Sequence, residues 1–151
     1  MSRSAGPGFL LEKVSRALLT GDIDNDGDLD LVVTNSGQTV DVLRNDGGNR
    51  ANALVVRTVG TRSNRDGVGA EIRLTIGRRM QSRIVKAGSG YLGQNDPRQH
   101  FGLGAATVAD RLEVQWPSGR TDVLTKVPAN QIITIREGDG IVGRTPFAPA
   151  R

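Results

Sequence analysis

The chain has 151 residues, a net charge of +4, 20 glycines, 3% aromatic residues and no cysteine. That length suits one domain with a core of its own, so neither metal nor disulfide is needed merely to fold. The missing cysteine excludes disulfide frameworks, thiolate metal sites and cysteine nucleophiles together.

Charge divides unevenly. Residues 1–48 hold four Lys/Arg against eight Asp/Glu, and residues 49–151 hold sixteen against eight. The arginines of the basic part (Arg57, Arg73, Arg83, Arg111, Arg136) are scattered among strand-like segments. They form no basic run and have no interleaved aromatics on which bases could stack, so a solvated basic face is expected rather than a nucleic-acid site. Met1 to Gly8 has no charged segment leading into an apolar stretch, so no signal peptide is read there. No apolar run is long enough to insert into a membrane.

Phe9 to Leu19 fits either a short amphipathic helix through Leu10, Val14 and Leu18, or a strand over Arg16 to Thr20; so few residues do not separate the two. Leu29 to Thr34 is β-rich, Asn35-Ser36-Gly37 is turn chemistry, and Val40 to Arg44 reads as a returning strand. Asn45-Asp46-Gly47-Gly48-Asn49 marks a domain boundary. Ala53 to Val59 is a strand, and Gly60 to Gly67 a polar loop. Ala70, Ile72, Leu74 and Ile76 then alternate with Glu71, Arg73 and Thr75, the period of a half-buried strand. Gly77-Arg78 turns the chain into Arg79 to Ala87. Gly88 to Arg98 is a long loop carrying Tyr91. Leu112, Val114 and Trp116 alternate again, Pro117-Ser118-Gly119-Arg120 is a tight turn, and Thr121 to Leu124 answers it. Gln131 to Arg136 reads as the last strand, with a flexible tail after it. Abundant glycine with recurring Val, Ile and Thr makes the chain all-β, with no helix longer than about three turns. About eight strands beyond the boundary fit a compact sandwich or a small barrel.

The chemistry-bearing motif is Asp22-Ile23-Asp24-Asn25-Asp26-Gly27-Asp28-Leu29-Asp30. Asp22, Asp24 and Asp26 fall at loop positions one, three and five, Gly27 at the sixth where the chain bends, and Asp30 at the ninth. Alternate carboxylates converge when such a loop curls round a hard cation, and the seventh residue, Asp28, lends its backbone carbonyl. With six or seven oxygens expected, calcium is the predicted ion. An EF-hand is excluded, because its twelfth-position glutamate is replaced by Val33 in a strand-like run.

With Ser15-Arg16 before it, Gly21 to Val33 resembles the FG-GAP/VCBS repeat, a propeller-blade hairpin with a calcium loop. The sequence that follows is similar to the ASPIC/UnbV family through Gly60-Thr61-Arg62-Ser63-Asn64-Arg65-Asp66-Gly67-Val68-Gly69-Ala70, Gly88-Ser89-Gly90-Tyr91-Leu92, His100-Phe101-Gly102-Leu103-Gly104 and Trp116-Pro117-Ser118-Gly119. The resemblance implies four parts: an N-terminal segment (1–15), a propeller-type calcium-loop hairpin (16–48), a β domain (49–138) and a tail (139–151). It also implies an extracellular, periplasmic or cell-surface location. Such proteins carry several FG-GAP units, whereas this sequence has one, so it reads as the C-terminal part of a larger propeller protein or a shortened relative.

His100 is expected to pack or cap, Trp116 to lie in the core, and Asn64, Asp66 and Gly67 to form a hydrogen-bonded turn. Tyr91, in its glycine-rich loop, is a weak ligand-binding candidate. No nucleophile–base pair can be assembled, so no enzyme is expected. The expected role is a calcium-binding interaction module for a protein or polysaccharide partner; the alternative is a structural cap closing a propeller. Exposed strand edges in the hairpin predict self-association.

Overall fold

The computed structural model describes residues 6–149 and shows an all-β protein in which no sheet closes into a barrel. A sandwich is therefore formed, not a small barrel. Strands β1 (Ser15–Gly21), β2 (Asp30–Asn35) and β3 (Asp41–Leu43) make a three-stranded antiparallel sheet. The remaining strands are β4 (Asn52–Val59), β5 (Glu71–Ile76), β6 (Arg79–Ile84), β7 (Gln99–Gly104), β8 (Val108–Gln115), β9 (Thr121–Pro128), β10 (Gln131–Arg136) and β11 (Gly140–Pro146). They form two four-stranded sheets, ordered β11-β10-β4-β7 and β6-β5-β8-β9. Among the described residues only β10 and β4 pair in parallel, a connection that a tight turn cannot make. The chain between them builds the whole of the second sheet, together with β7.

The alternation of β5 places Ile72 and Leu74 in the core, and cross-strand register sets them beside Val114 and Leu112 of β8. Leu54, Val56, Phe101, Leu103, Ile133 and Ile135 close the core from the other sheet, with Trp116 at one end. Central β4 is buried on both faces over Ala53 to Val56. Leu54 and Val56 point into the sandwich, so Val55 points outward, where its register partner is His100.

One open alternative is resolved and one expectation changes. Ser15–Gly21 is strand, and the only helical turns among the described residues are short 3-10 segments at Pro7–Leu10 and Gly48–Arg50. The tail expected to be flexible from residue 139 instead forms β11, so Gln131–Arg136 is not the last strand. Gly140 takes φ +74 to start the return, and Ile141 packs against the core. Glycine and proline obscure the apolar pattern in the sequence; an open edge on β10 and a place for Ile141 supply the stabilisation.

In the three-stranded sheet none of the large apolar side chains of β1, β2 or β3 is buried. Ala17 is the buried apolar residue there, while Leu18 is 56% and Val42 60% exposed. This sheet reaches the sandwich mainly through the loop between β1 and β2.

Candidate metal centre

The β1–β2 loop curls because its own carboxylates collect backbone N–H groups. Asp22 accepts from Asp26 N–H at 3.1 Å through Oδ1 and from Gly27 N–H at 3.2 Å through Oδ2. Asp26 Oδ1 accepts from Asp28 N–H at 3.1 Å. Asn25 and Gly27 take φ +60 and +95, which turns the chain back on itself. Asp30, fully buried at the start of β2, accepts from Ile23 N–H across the loop and from Asn45 N–H beyond β3, both at 2.9 Å.

Of the five predicted site residues, Asp22, Asp24 and Asp30 bring carboxylate oxygens within 4.8 Å of one another. Two oxygens on one calcium ion can be at most about 5 Å apart, given calcium–oxygen distances of about 2.3–2.6 Å. The three can therefore share a cation. Asp24 Oδ1 is buried without a hydrogen-bond partner, an arrangement that is costly unless a cation or donor completes it. The donor set is hard oxygen throughout, which suits calcium. Asp26 and Asp28 are buried beside this group but stand outside the three-residue cluster.

Asp28 carries more than the backbone carbonyl expected of the seventh position. Its Oδ2 accepts from Gly48 N–H at 2.9 Å and Gly47 N–H at 3.4 Å, while its Oδ1 is buried and partnerless. The boundary glycines fold back over the loop, a contact between residues about twenty apart that spacing within the loop does not reveal. Burial, and then the Asp26 charge, push the Asp28 carboxyl above its ordinary value. Burial also raises Asp22, against the opposing effects of Gly27 N–H and Arg98.

The loop is clamped to the outer face of the β4–β7 sheet. Arg98 donates to Asp22 O at 2.6 Å and Asn25 Oδ1 at 2.5 Å, and is held by an ion pair with Asp96 at 2.5 Å. His100 Nε2 lies 2.7 Å from Gly27 O, and Ala148 N–H donates to Asn25 O at 2.7 Å. The Phe147 ring covers Gly27 so closely that a Cβ added there would clash with it. Asp96 N–H and Asn95 Oδ1 bond the backbone of Thr20. The sequence reading placed His100 as a packing or capping residue but missed Arg98, Asp96 and Phe147, whose partners lie far along the chain. Tyr91, the weak ligand-binding candidate, is 63% exposed on the Gly88–Gly93 loop.

A second buried carboxylate was also missed. Glu137 Oε2 accepts from the N–H groups of Thr61, Arg62 and Ser63, each at 2.8 Å, and Oε1 from the hydroxyls of Ser63 and Ser118. Burial opposes its ionisation, but the Ser118 hydroxyl and the three backbone donors overcome this and hold it far below the usual carboxylate range. The Gly60–Gly67 loop and the Trp116–Gly119 turn thus meet on one anion. Beside it, Asp122 accepts from Trp116 Nε1 and Gly138 N–H, both at 2.8 Å. Asn64 Oδ1 accepts from Asp66 N–H at 2.9 Å, so that segment is a hydrogen-bonded turn.

Two family models match successive parts of the chain. The FG-GAP repeat model matches residues 15–56, and the model described as ASPIC and UnbV matches residues 60–142. Human cartilage acidic protein 1 is 37% identical over 120 residues, covering 76% of this chain and 18% of that protein. The mouse protein of that name gives the same identity and coverage, and the Xenopus tropicalis one is 37% identical over 103 residues, 66% of this chain and 16% of its own length. The chain thus spans less than a fifth of the curated relatives it matches. The chain belongs to the ASPIC and UnbV family, whose domain covers residues 60–142, with an FG-GAP repeat over residues 15–56 in front of it.

Proposed function

We propose that this protein is a calcium-binding, non-enzymatic extracellular interaction module, of the kind that ends a larger propeller protein. The observation that carries this reading is the convergence of Asp22, Asp24 and Asp30 with a buried, partnerless oxygen on Asp24. Bound calcium would offset part of the loop's negative charge, and Asp22, Asp24 and Asp30 would hold it while Asp26 and Asp28 shape the surrounding turn. The clamp formed by Arg98 and His100 then couples metal occupancy to the seating of the hairpin on the sandwich. The extracellular setting is supported by the FG-GAP match and the likeness to cartilage acidic protein 1, and no helix among the described residues is long and apolar enough to cross a membrane. The sole imidazole, His100, is engaged with Gly27 O, which suits a structural role.

Thermal melts test the metal. Calcium at millimolar concentration should raise Tm by mass action on the folded state, and magnesium should do less because it needs stricter geometry at shorter distances. A Tm indifferent to calcium contradicts the reading.

A further inference from the structure

From Gly77 to Asn95 the chain holds Arg78, Arg79, Arg83 and Lys86 and no acidic residue. Elsewhere on the same sheet, arginines are neutralised by carboxylates two positions away: Arg73 by Glu71, Arg111 by Glu113 and Arg120 by Asp122. No such partner serves Arg83 among the described residues. Its guanidinium donates to Ser82 O at 2.9 Å and stands 5.6 Å over the Phe101 ring. Edge strand β6 turns Arg79, Gln81 and Arg83 toward the side on which β5 places Ile76, Leu74 and Ile72. There Gln81 reaches Gly102 O of β7 at 2.8 Å. The sandwich is left open between β6 and β7.

That opening is a cleft of about 680 Å³, bounded by β6, by β7 and by the back of the acidic loop. The volume lies within the range of about 300–1,000 Å³ usual for small-ligand sites. Arg83 and Lys86 line it together with Gln99 and with Ser89, whose hydroxyl accepts from Asn95 Nδ2 at 3.2 Å; the Ser82 hydroxyl is turned away to Glu71. Of its two carboxylates, Asp96 is engaged by Arg98 and Asp22 by the N–H groups of Asp26 and Gly27. The loop bearing Ser89 also presents Tyr91 as an exposed ring, an amphipathic face suited to stacking at a wet surface.

We propose that this cleft binds an acidic polysaccharide, with Arg83 and Lys86 taking its sulfate or carboxylate groups and the hydroxyl and amide side chains its ring hydroxyls. The two cations supply charge-assisted hydrogen bonds, and the fixed polar lining selects a sugar over a bare anion. This names the ligand chemistry of the interaction module proposed above; Asp22 is shared between the cleft wall and the metal cluster, but Arg83 and Lys86 belong to the cleft alone.

Calorimetric titration of the full chain with size-defined oligosaccharides of dextran sulfate, polygalacturonate and neutral dextran tests it, in calcium and in EDTA. The two charged oligosaccharides should bind and neutral dextran should not; the stronger of the two identifies sulfate or carboxylate as the preferred group. R83S/K86S should weaken binding by about tenfold or more, while the charge-matched R65S/R78S, at two arginines that do not line the cleft, should change it less than about threefold. All four residues are exposed, so both variants should retain the parent Tm. Equal losses in the two variants would reduce the effect to net charge and overturn the proposal. So would binding of poly-glutamate as tight as that of either saccharide, or no binding of either. A Tm unmoved by calcium alongside selective saccharide binding would defeat the metal reading and leave this one standing.

Discussion

Asp28 and Glu137 are both buried carboxylates with opposite electrostatic fates. Glu137 accepts from five donors, whereas one oxygen of Asp28 accepts from two glycine N–H groups and the other from none. A folded pKa held below the ordinary 4.5 of a glutamate contributes stability that is complete above that value and is lost as pH falls below it. Tm should therefore drop on acidification below about pH 4.5. Glu137→Gln should lower Tm at neutral pH and flatten this dependence, since its amide nitrogen presents a donor to a cage of donors. Melts across about pH 3 to 7 check both outcomes. Asp28→Ala should cost about 1–2 kcal/mol by chemical denaturation without calcium, because the Gly47 and Gly48 N–H groups lose their acceptor. Loop spacing alone would make that side chain dispensable.

At the scale of elements, the sequence made the core legible where two-residue periodicity was strong. Ile72 and Leu74 on β5, and Leu112 and Val114 on β8, face inward as their alternation requires. The aspartate run likewise showed which segment would curl. Long-range contacts were not legible: Arg98 meets Asp22 O across 76 positions, and Thr61 meets Glu137 across 76. β11 was hidden because Gly140, Gly143 and Pro146 break the strand pattern that its pairing with β10 sustains. These contacts imply that residues 49–151 fold alone while residues 1–48 do not, even with calcium, since an isolated small sheet is marginal. Circular dichroism of the two fragments measures this. Ending the longer fragment at residue 138 should lower its Tm by exposing Ile141's place in the core. Arg98→Ala should speed amide hydrogen exchange in β1 to β3 while β4, β5 and β8 keep their protection. Equal acceleration everywhere would mean that Arg98 does not act as a clamp.

Viewed whole, the molecule joins a well-packed sandwich to a sheet whose apolar side chains are incompletely covered. Leu18 and Val42 lie more than half exposed on that sheet, and among the described residues no further strand pairs with β1 or β3, although Asn95 and Asp96 take the backbone of Thr20 on β1. Sheets of this kind gain stability from stacked neighbours, so the full chain should associate reversibly at high concentration, and Leu18→Lys with Val42→Lys should suppress this in sedimentation. The acidic loop is what joins sheet and sandwich: it spans β1 and β2 and is gripped by Arg98, His100 and Phe147. Whether it is a calcium site is tested most directly by calorimetric titration of the full chain with calcium, beside Asp24→Asn and Asp30→Asn. The account predicts one ion per chain, with binding weakened by about tenfold or more in each variant as a charged ligand is removed. No heat of binding in the parent, or undiminished affinity in both variants, would contradict it.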